Sequence, residues 1–128
     1  MVRDGYNDGL SAEDRVLLEG TFTRILDFLA NKNDREVPLA TIHSAKDLYD
    51  VMDLSISNGG VDVETLLTDI DAYLQHSVKT SHPHFMNPFW GGPPASSLAG
   101  EFISALTNTS MYTFEIAPVA TLIEQEMV

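Results

Sequence analysis

"HPHFMNPFWGGPPASSLAG", residues 82–100, separates the helical parts of this chain and decides how they are read. It holds four prolines, three glycines, two phenylalanines and the only tryptophan. Proline lacks a backbone donor and glycine carries excess backbone entropy, so the Pro/Gly-rich part does not continue a helix. It is also too apolar for an ordinary exposed loop. From the residues alone two readings of Phe85, Phe89 and Trp90 stay open: they fill a core, or they form a binding surface.

Outward from this stretch the pattern is helical on both sides. Upstream, Val63, Leu66, Leu67, Ile70 and Leu74 recur on one helix face, with Asp62, Glu64 and Asp69 in the N-terminal half, where they suit the helix dipole. Before that, Ser44 can cap a short helix carrying Leu48, Val51 and Met52, which "SISNGG" should break at Gly59-Gly60. Further back, Ser11-Ala-Glu-Asp14 resembles a capping box. Leu18, Phe22, Ile25 and Leu29 then predict a helix of about five turns, ended by "NKNDRE". Residues 1–10 read as a loose lead-in and Pro38–Ile42 as a short apolar link. Downstream, a helix starts near Pro94 with Leu98, Phe102 and Ala105 or Leu106 inward. "NTSMYTFE" is a bend or extended link, and a last helix begins near Pro118. No strand set emerges, so the fold class is all-α.

Composition sets the outer bounds. A chain of 128 residues fits one domain with a modest core. Its 44% hydrophobic content excludes a disordered tail. No apolar run approaches the ~20 residues of a membrane span. The acidic, polar N-terminus reads as neither a signal nor a transit peptide. Zero cysteines remove disulfides and thiol catalysis, and a cytoplasmic location is the default expectation. The net charge of −12 opposes binding to nucleic acid or an anionic membrane. Fifteen of the nineteen acids precede residue 80, and no Lys or Arg follows it. The last helix stops without Gly, Asn or Pro, which leads us to expect a piece of something larger.

Candidate chemistry is sparse. His82 and His84 could ligate a metal, but they sit beside apolar residues, and the bland reading is local packing and hydrogen bonding. No metal site is expected. Asp69/Asp71 and Glu124/Glu126 read as solvated faces rather than acid–base dyads. There is no G-x-S-x-G, P-loop or G-x-G-x-x-G.

Residues 82–127 carry a more specific signal. They contain His82-Pro83, Phe85, Asn87, Leu98-Ala99-Gly100, Asn108-Thr109 and Tyr112-Thr113-Phe114-Glu115-Ile116-Ala117-Pro118. This order and spacing resembles the start of group II pyridoxal-phosphate-dependent amino acid decarboxylases, in the branch of glutamate and cysteine sulfinate decarboxylases. Residues 11–81 match only loosely, as that family's leading helices.

The resemblance implies a helical N-terminal segment of a fold-type-I enzyme whose large α/β domain lies outside this chain. In that family the large domain supplies the lysine and the other groups that hold pyridoxal 5'-phosphate. No catalytic, cofactor-binding or metal residue is therefore expected here, and none of Lys32, Lys46 and Lys79 sits in a cofactor motif. Residues 1–81 would embrace the partner in a homodimer. Residues 82–128 would carry the substrate-side loop and lead to the large domain. Carried over by position, Pro88, Phe89 and Trp90 match one segment that contacts the substrate side chain, and Ser110 and Tyr112 match the second. Glutamate decarboxylases typically have Gln-Leu-Ser where this chain has Pro88-Phe89-Trp90, so a polar contact to the distal carboxylate is missing. Their Asn and Phe are here Ser110 and Tyr112, which is closer to the cysteine sulfinate branch. The expected function is thus part of a decarboxylase of a small acidic amino acid, inactive alone. The alternative is an all-α dimerisation module with no ligand of its own.

Overall fold

The computed structural model describes residues 9–30, 34–41 and 44–128. Among them are five helices and no strand: α1 (Ala12–Ala30), α2 (Ala45–Val51), α3 (Val63–His76), α4 (Ala95–Thr107) and α5 (Pro118–Met127). The chain divides into two compact units, one running to Gly92 and the other spanning Pro93–Val128. The lead-in before Gly9, "NKN" at 31–33, and Ile42 and His43 lie outside the described residues.

The predicted caps form. The Asp14 amide donates to Ser11 Oγ at 3.0 Å, and the Ser11 amide donates back to the Asp14 carboxylate at 3.3 Å. Ser44 and Asp47 make the same reciprocal pair at α2. At α3 the Thr65 amide donates to Asp62 Oδ1 at 2.8 Å, so Asp62 is the N-cap itself. Pro94 and Pro118 flank the starts of α4 and α5, where a missing N–H costs nothing.

α1 packs on α3. The approach is closest at Gly20, where a Cβ would lie 2.9 Å from both Leu67 methyl carbons. Arg24 Nη2 donates to Asp71 Oδ2 at 2.8 Å, an ion pair half open to water and worth little by itself. The α3 stripe of Val63, Leu66, Leu67, Ile70 and Leu74 is half-buried throughout, as its spacing predicted.

The α1 stripe forms the expected helix but is covered on one side only. Ile25 and Leu29 are half-buried, but Leu18 and Phe22 stay exposed, while Leu17, Gly20, Thr21 and Arg24 share the shielded side. A single neighbour covers a narrower arc of α1 than a full core would. α2 also ends sooner than expected, at Val51 rather than near Gly59-Gly60. Asp53 stops it, because Oδ1 accepts both the Ser55 amide at 2.9 Å and the Ser55 hydroxyl at 2.6 Å, a local turn that competes with the helix.

The expected modest core is not built. Among the described residues only Ala117 and His82 are buried. In the second unit Leu98 is half-buried as expected, but Phe102 and both Ala105 and Leu106, one of which was expected to face inward, are exposed, Leu106 at 80%. Two helices joined by a turn lack the layers needed to cover their own apolar faces.

Candidate functional site

The stretch after α3 is held by its own backbone and by the link at 34–41. The Lys79 amide donates to Leu39 O at 3.0 Å, and Lys79 Nζ donates to Pro38 O at 3.2 Å. The His82 amide donates to Lys79 O and the Phe85 amide to His82 O, both at 2.9 Å, giving two successive turns. Gly92 returns the chain against Ser81, where a Cβ would lie 2.6 Å from Ser81 Cα. Residues 81–92 thus form a loop with touching ends, of the Ω type.

The tip of this loop is Pro88-Phe89-Trp90. Asn87 Oδ1 accepts the Phe89 amide at 2.8 Å, an Asx turn around Pro88, whose φ is fixed by its ring. The Phe89 and Trp90 rings stack at 6.4 Å between centroids, 28° from parallel. Both are exposed, Trp90 at 60%. Of the two readings left open for this aromatic cluster, the structure favours a presented surface for Phe89 and Trp90, while Phe85 is half-buried.

His82 is the residue the sequence reading undervalued. It is 3% exposed and uses every polar atom it has. Nδ1 accepts the His84 amide at 3.0 Å, so Nδ1 carries no proton. Nε2 faces Asp34 O at 3.1 Å, 48 residues upstream, and a carbonyl can only accept, so Nε2 carries the proton. The His82 and His84 rings meet edge-on at 5.1 Å. Local hydrogen bonding was the expectation for this pair. The bond to Asp34 was not legible, since nothing in the sequence marks a carbonyl so far away.

The second candidate segment belongs to the second unit. α4 ends at Asn108, whose left-handed φ of 41° turns the chain out of the helix. Ser110 and Tyr112 follow on the surface, Tyr112 at 90% exposure. Thr113 O then accepts the amides of Ile116 and Ala117 at 3.3 and 3.1 Å, and Thr121 Oγ1 donates to Ala117 O at 2.8 Å. This frame around the buried Ala117 fixes the turn that presents Tyr112. The five residues expected at the substrate side therefore fall on two separately described units, with Pro88, Phe89 and Trp90 together on one and Ser110 and Tyr112 on the other.

The first unit also has an open cavity of about 440 Å³, lined by Arg24, Asp27, Asp71 and Lys79 among others. It lies against the C-terminal ends of α1 and α3, whose carbonyls repel an anion, and two of its walls are carboxylates. Its cations are engaged, Arg24 with Asp71 and Lys79 Nζ with Pro38 O. A phosphate-bearing ring does not fit this chemistry. Among the described residues no cluster of His, Asp or Glu is arranged to hold a metal ion. No described helix is long and apolar enough to cross a membrane.

The described residues are all-α, with an aromatic tip presented from a closed loop and a second exposed turn carrying Ser110 and Tyr112. The chain belongs to the pyridoxal-dependent decarboxylase family: residues 46–128 match the pyridoxal-dependent decarboxylase conserved domain. It is 37% identical over 112 residues to a glutamate decarboxylase of Drosophila melanogaster, covering 88% of this chain and 22% of that protein. It is 33% identical over 121 residues to a cysteine sulfinic acid decarboxylase of Rattus norvegicus, covering 94% of this chain and 24% of that protein. A crystal structure of mouse CSAD superposes with a TM-score of 0.82 at 32% identity, over 88% of this chain and 24% of that one. The chain thus spans about a quarter of the length of these relatives. The family is pyridoxal-dependent, and the cavity described above does not fit that cofactor.

Proposed function

We propose that these residues are the N-terminal part of a pyridoxal-phosphate-dependent decarboxylase acting on a small acidic amino acid: glutamate, cysteine sulfinate or aspartate. The observation that carries this reading is the family match over residues 46–128, with likeness to both glutamate and cysteine sulfinic acid decarboxylases. Residues 1–81 contribute to a homodimer and residues 82–128 contribute the substrate side. Pro88, Phe89 and Trp90 supply substrate-side contacts as an aromatic wall, and Ser110 and Tyr112 supply further substrate-side contacts. Support for this comes from the exposure of the aromatic tip and of Tyr112, since a presented aromatic pair that no neighbour covers is available for contact. Such a wall discriminates by shape more than by charge. Alone, the chain is inactive, because neither described lysine lies in a site that could hold the cofactor: Lys46 is exposed on α2 and Lys79 is bound to Pro38 O.

The test is made on the complete reading frame that contains these residues. Carbon dioxide release is measured with cofactor and each of the three substrates, for the native enzyme and for Trp90→Ala. A changed order of preference at unchanged melting temperature is expected. Equal losses on every substrate together with a lowered melting temperature would assign Trp90 to packing and remove the substrate wall.

A further inference from the structure

We propose that His82 is the positioning residue for the Pro88-Phe89-Trp90 tip, acting as a neutral latch with its proton on Nε2 that fixes the Ω loop to the 34–41 link. The inference rests on reading that tip as a substrate wall.

Two separate devices hold residues 81–92. The first is the neck, where Gly92 lies against Ser81 and closes the loop on itself. The neck says nothing about where the closed loop points. The second is the His82 ring, which bonds inward to the His84 amide and outward to Asp34 O. The outward bond ties the loop to a segment 48 residues earlier in the chain. Among the described residues the tip shows no such tie: Pro88, Phe89 and Trp90 are all exposed, and the bond from the Phe89 amide to Asn87 Oδ1 is internal to the loop. Its placement on the α1–α3 body is therefore inherited from the base of the loop. The Lys79 amide on Leu39 O reinforces the same junction from the loop's approach, before the neck.

The side chain at 82 must accept at one atom and donate at another, in opposite directions, from a site shielded from water. A filler of the same volume would leave the His84 amide and the Asp34 carbonyl without partners, and buried polar groups without partners are costly. Neutral histidine meets both demands. Asparagine offers an acceptor near the Nδ1 position, and glutamine a donor near the Nε2 position, so each keeps one bond and loses the other. This separates the inward tie from the outward one.

The experiment uses the whole chain and its single tryptophan, which sits at the tip. Long-range proton–nitrogen NMR of the native chain should show His82 Nδ1 unprotonated and Nε2 protonated. Far-UV circular dichroism checks that the helices persist in His82→Asn, His82→Gln and His82→Ala. With helices intact, His82→Asn and His82→Ala should lower the fluorescence anisotropy of Trp90 and shrink the near-UV signal of the Phe89–Trp90 stack. His82→Gln, which keeps the outward bond, should restore part of both signals. If His82→Ala loses helix, the contrast between the Asn and Gln variants decides. Native-like Trp90 signals in the Asn variant, or a proton on Nδ1, would overturn the latch. These readouts need no substrate. A latch that passes while Trp90→Ala leaves substrate preference unchanged would remove the substrate wall and keep the latch.

Discussion

Gly92 and Gly20 both sit where a methyl group would meet a neighbour, yet the neighbours differ. At Gly92 the obstacle is the backbone of Ser81 as well as its side chain, so the chain itself must move. Gly92→Ala should destabilise the first unit by about 1–3 kcal/mol, the usual cost of forcing an extra carbon into a filled space. At Gly20 the obstacle is the far end of Leu67, which can rotate away. Alanine in a helix interior gains about 1 kcal/mol over glycine, which offsets the repacking, so Gly20→Ala should be near neutral. Urea melts of the two variants, followed by α-helical signal and by Trp90 emission, check the contrast. Equal effects would mean that the Ω-loop neck is not closed.

α2 has only seven residues, so its capping box matters more than it would in a long helix. Ser44→Ala removes the acceptor of the Asp47 amide and should cost about 1 kcal/mol, seen as faster amide exchange in residues 45–51 with α1 and α3 unchanged. The N-cap of α3 carries a pH dependence. Hydrogen bonds from Thr65, its side chain first and its backbone N–H second, hold the Asp62 carboxyl below the usual carboxylate range. A depressed folded value means that the charged cap stabilises α3 at neutral pH. That contribution is lost as pH falls from the ordinary carboxylate range down through the depressed folded value. The Thr65 amide chemical shift should titrate in that acid window in the native chain and stay flat in Asp62→Asn, which caps without titrating. A native Thr65 amide that moves instead at the ordinary aspartate value would refute the cap's effect.

Among the described residues many large apolar side chains are exposed rather than hidden. Val16, Leu18, Phe22 and Leu26 are exposed on α1, as are Val119, Leu122 and Ile123 on α5. Leaving several hundred Å² of such surface in water forgoes on the order of 10 kcal/mol at ~25 cal/mol per Å². Symmetric pairing of copies is the commonest way to recover it. The charge of −12 opposes association, and salt screens it beyond about 8–10 Å, so pairing should tighten as salt is raised. Sedimentation equilibrium should show a dimer or larger species. A 14.1 kDa monomer at high protein concentration and moderate salt would count against the dimer-forming role of residues 1–81.

Helix identity and the helix starts were legible because they depend on short-range terms. Ser11, Ser44 and Asp62 cap within three residues of themselves, and the 3.6-residue period places Leu66, Leu67, Ile70 and Leu74 on one face wherever α3 goes. The motif from His82 to Pro118 likewise carried the family in its spacing. Partner choice was not legible. Periodicity says that a stripe is apolar, but not which neighbour covers it: α3 shields Ile25 and Leu29, while Leu18 and Phe22 lie outside. The same holds for His82 and Gly92, whose roles rest on Asp34 O and Ser81 brought close by the fold. Contacts between residues distant in sequence are set by the mutual packing of whole elements. They were decided by α1 docking on α3 and by the loop closing on itself, at positions that local pattern does not mark.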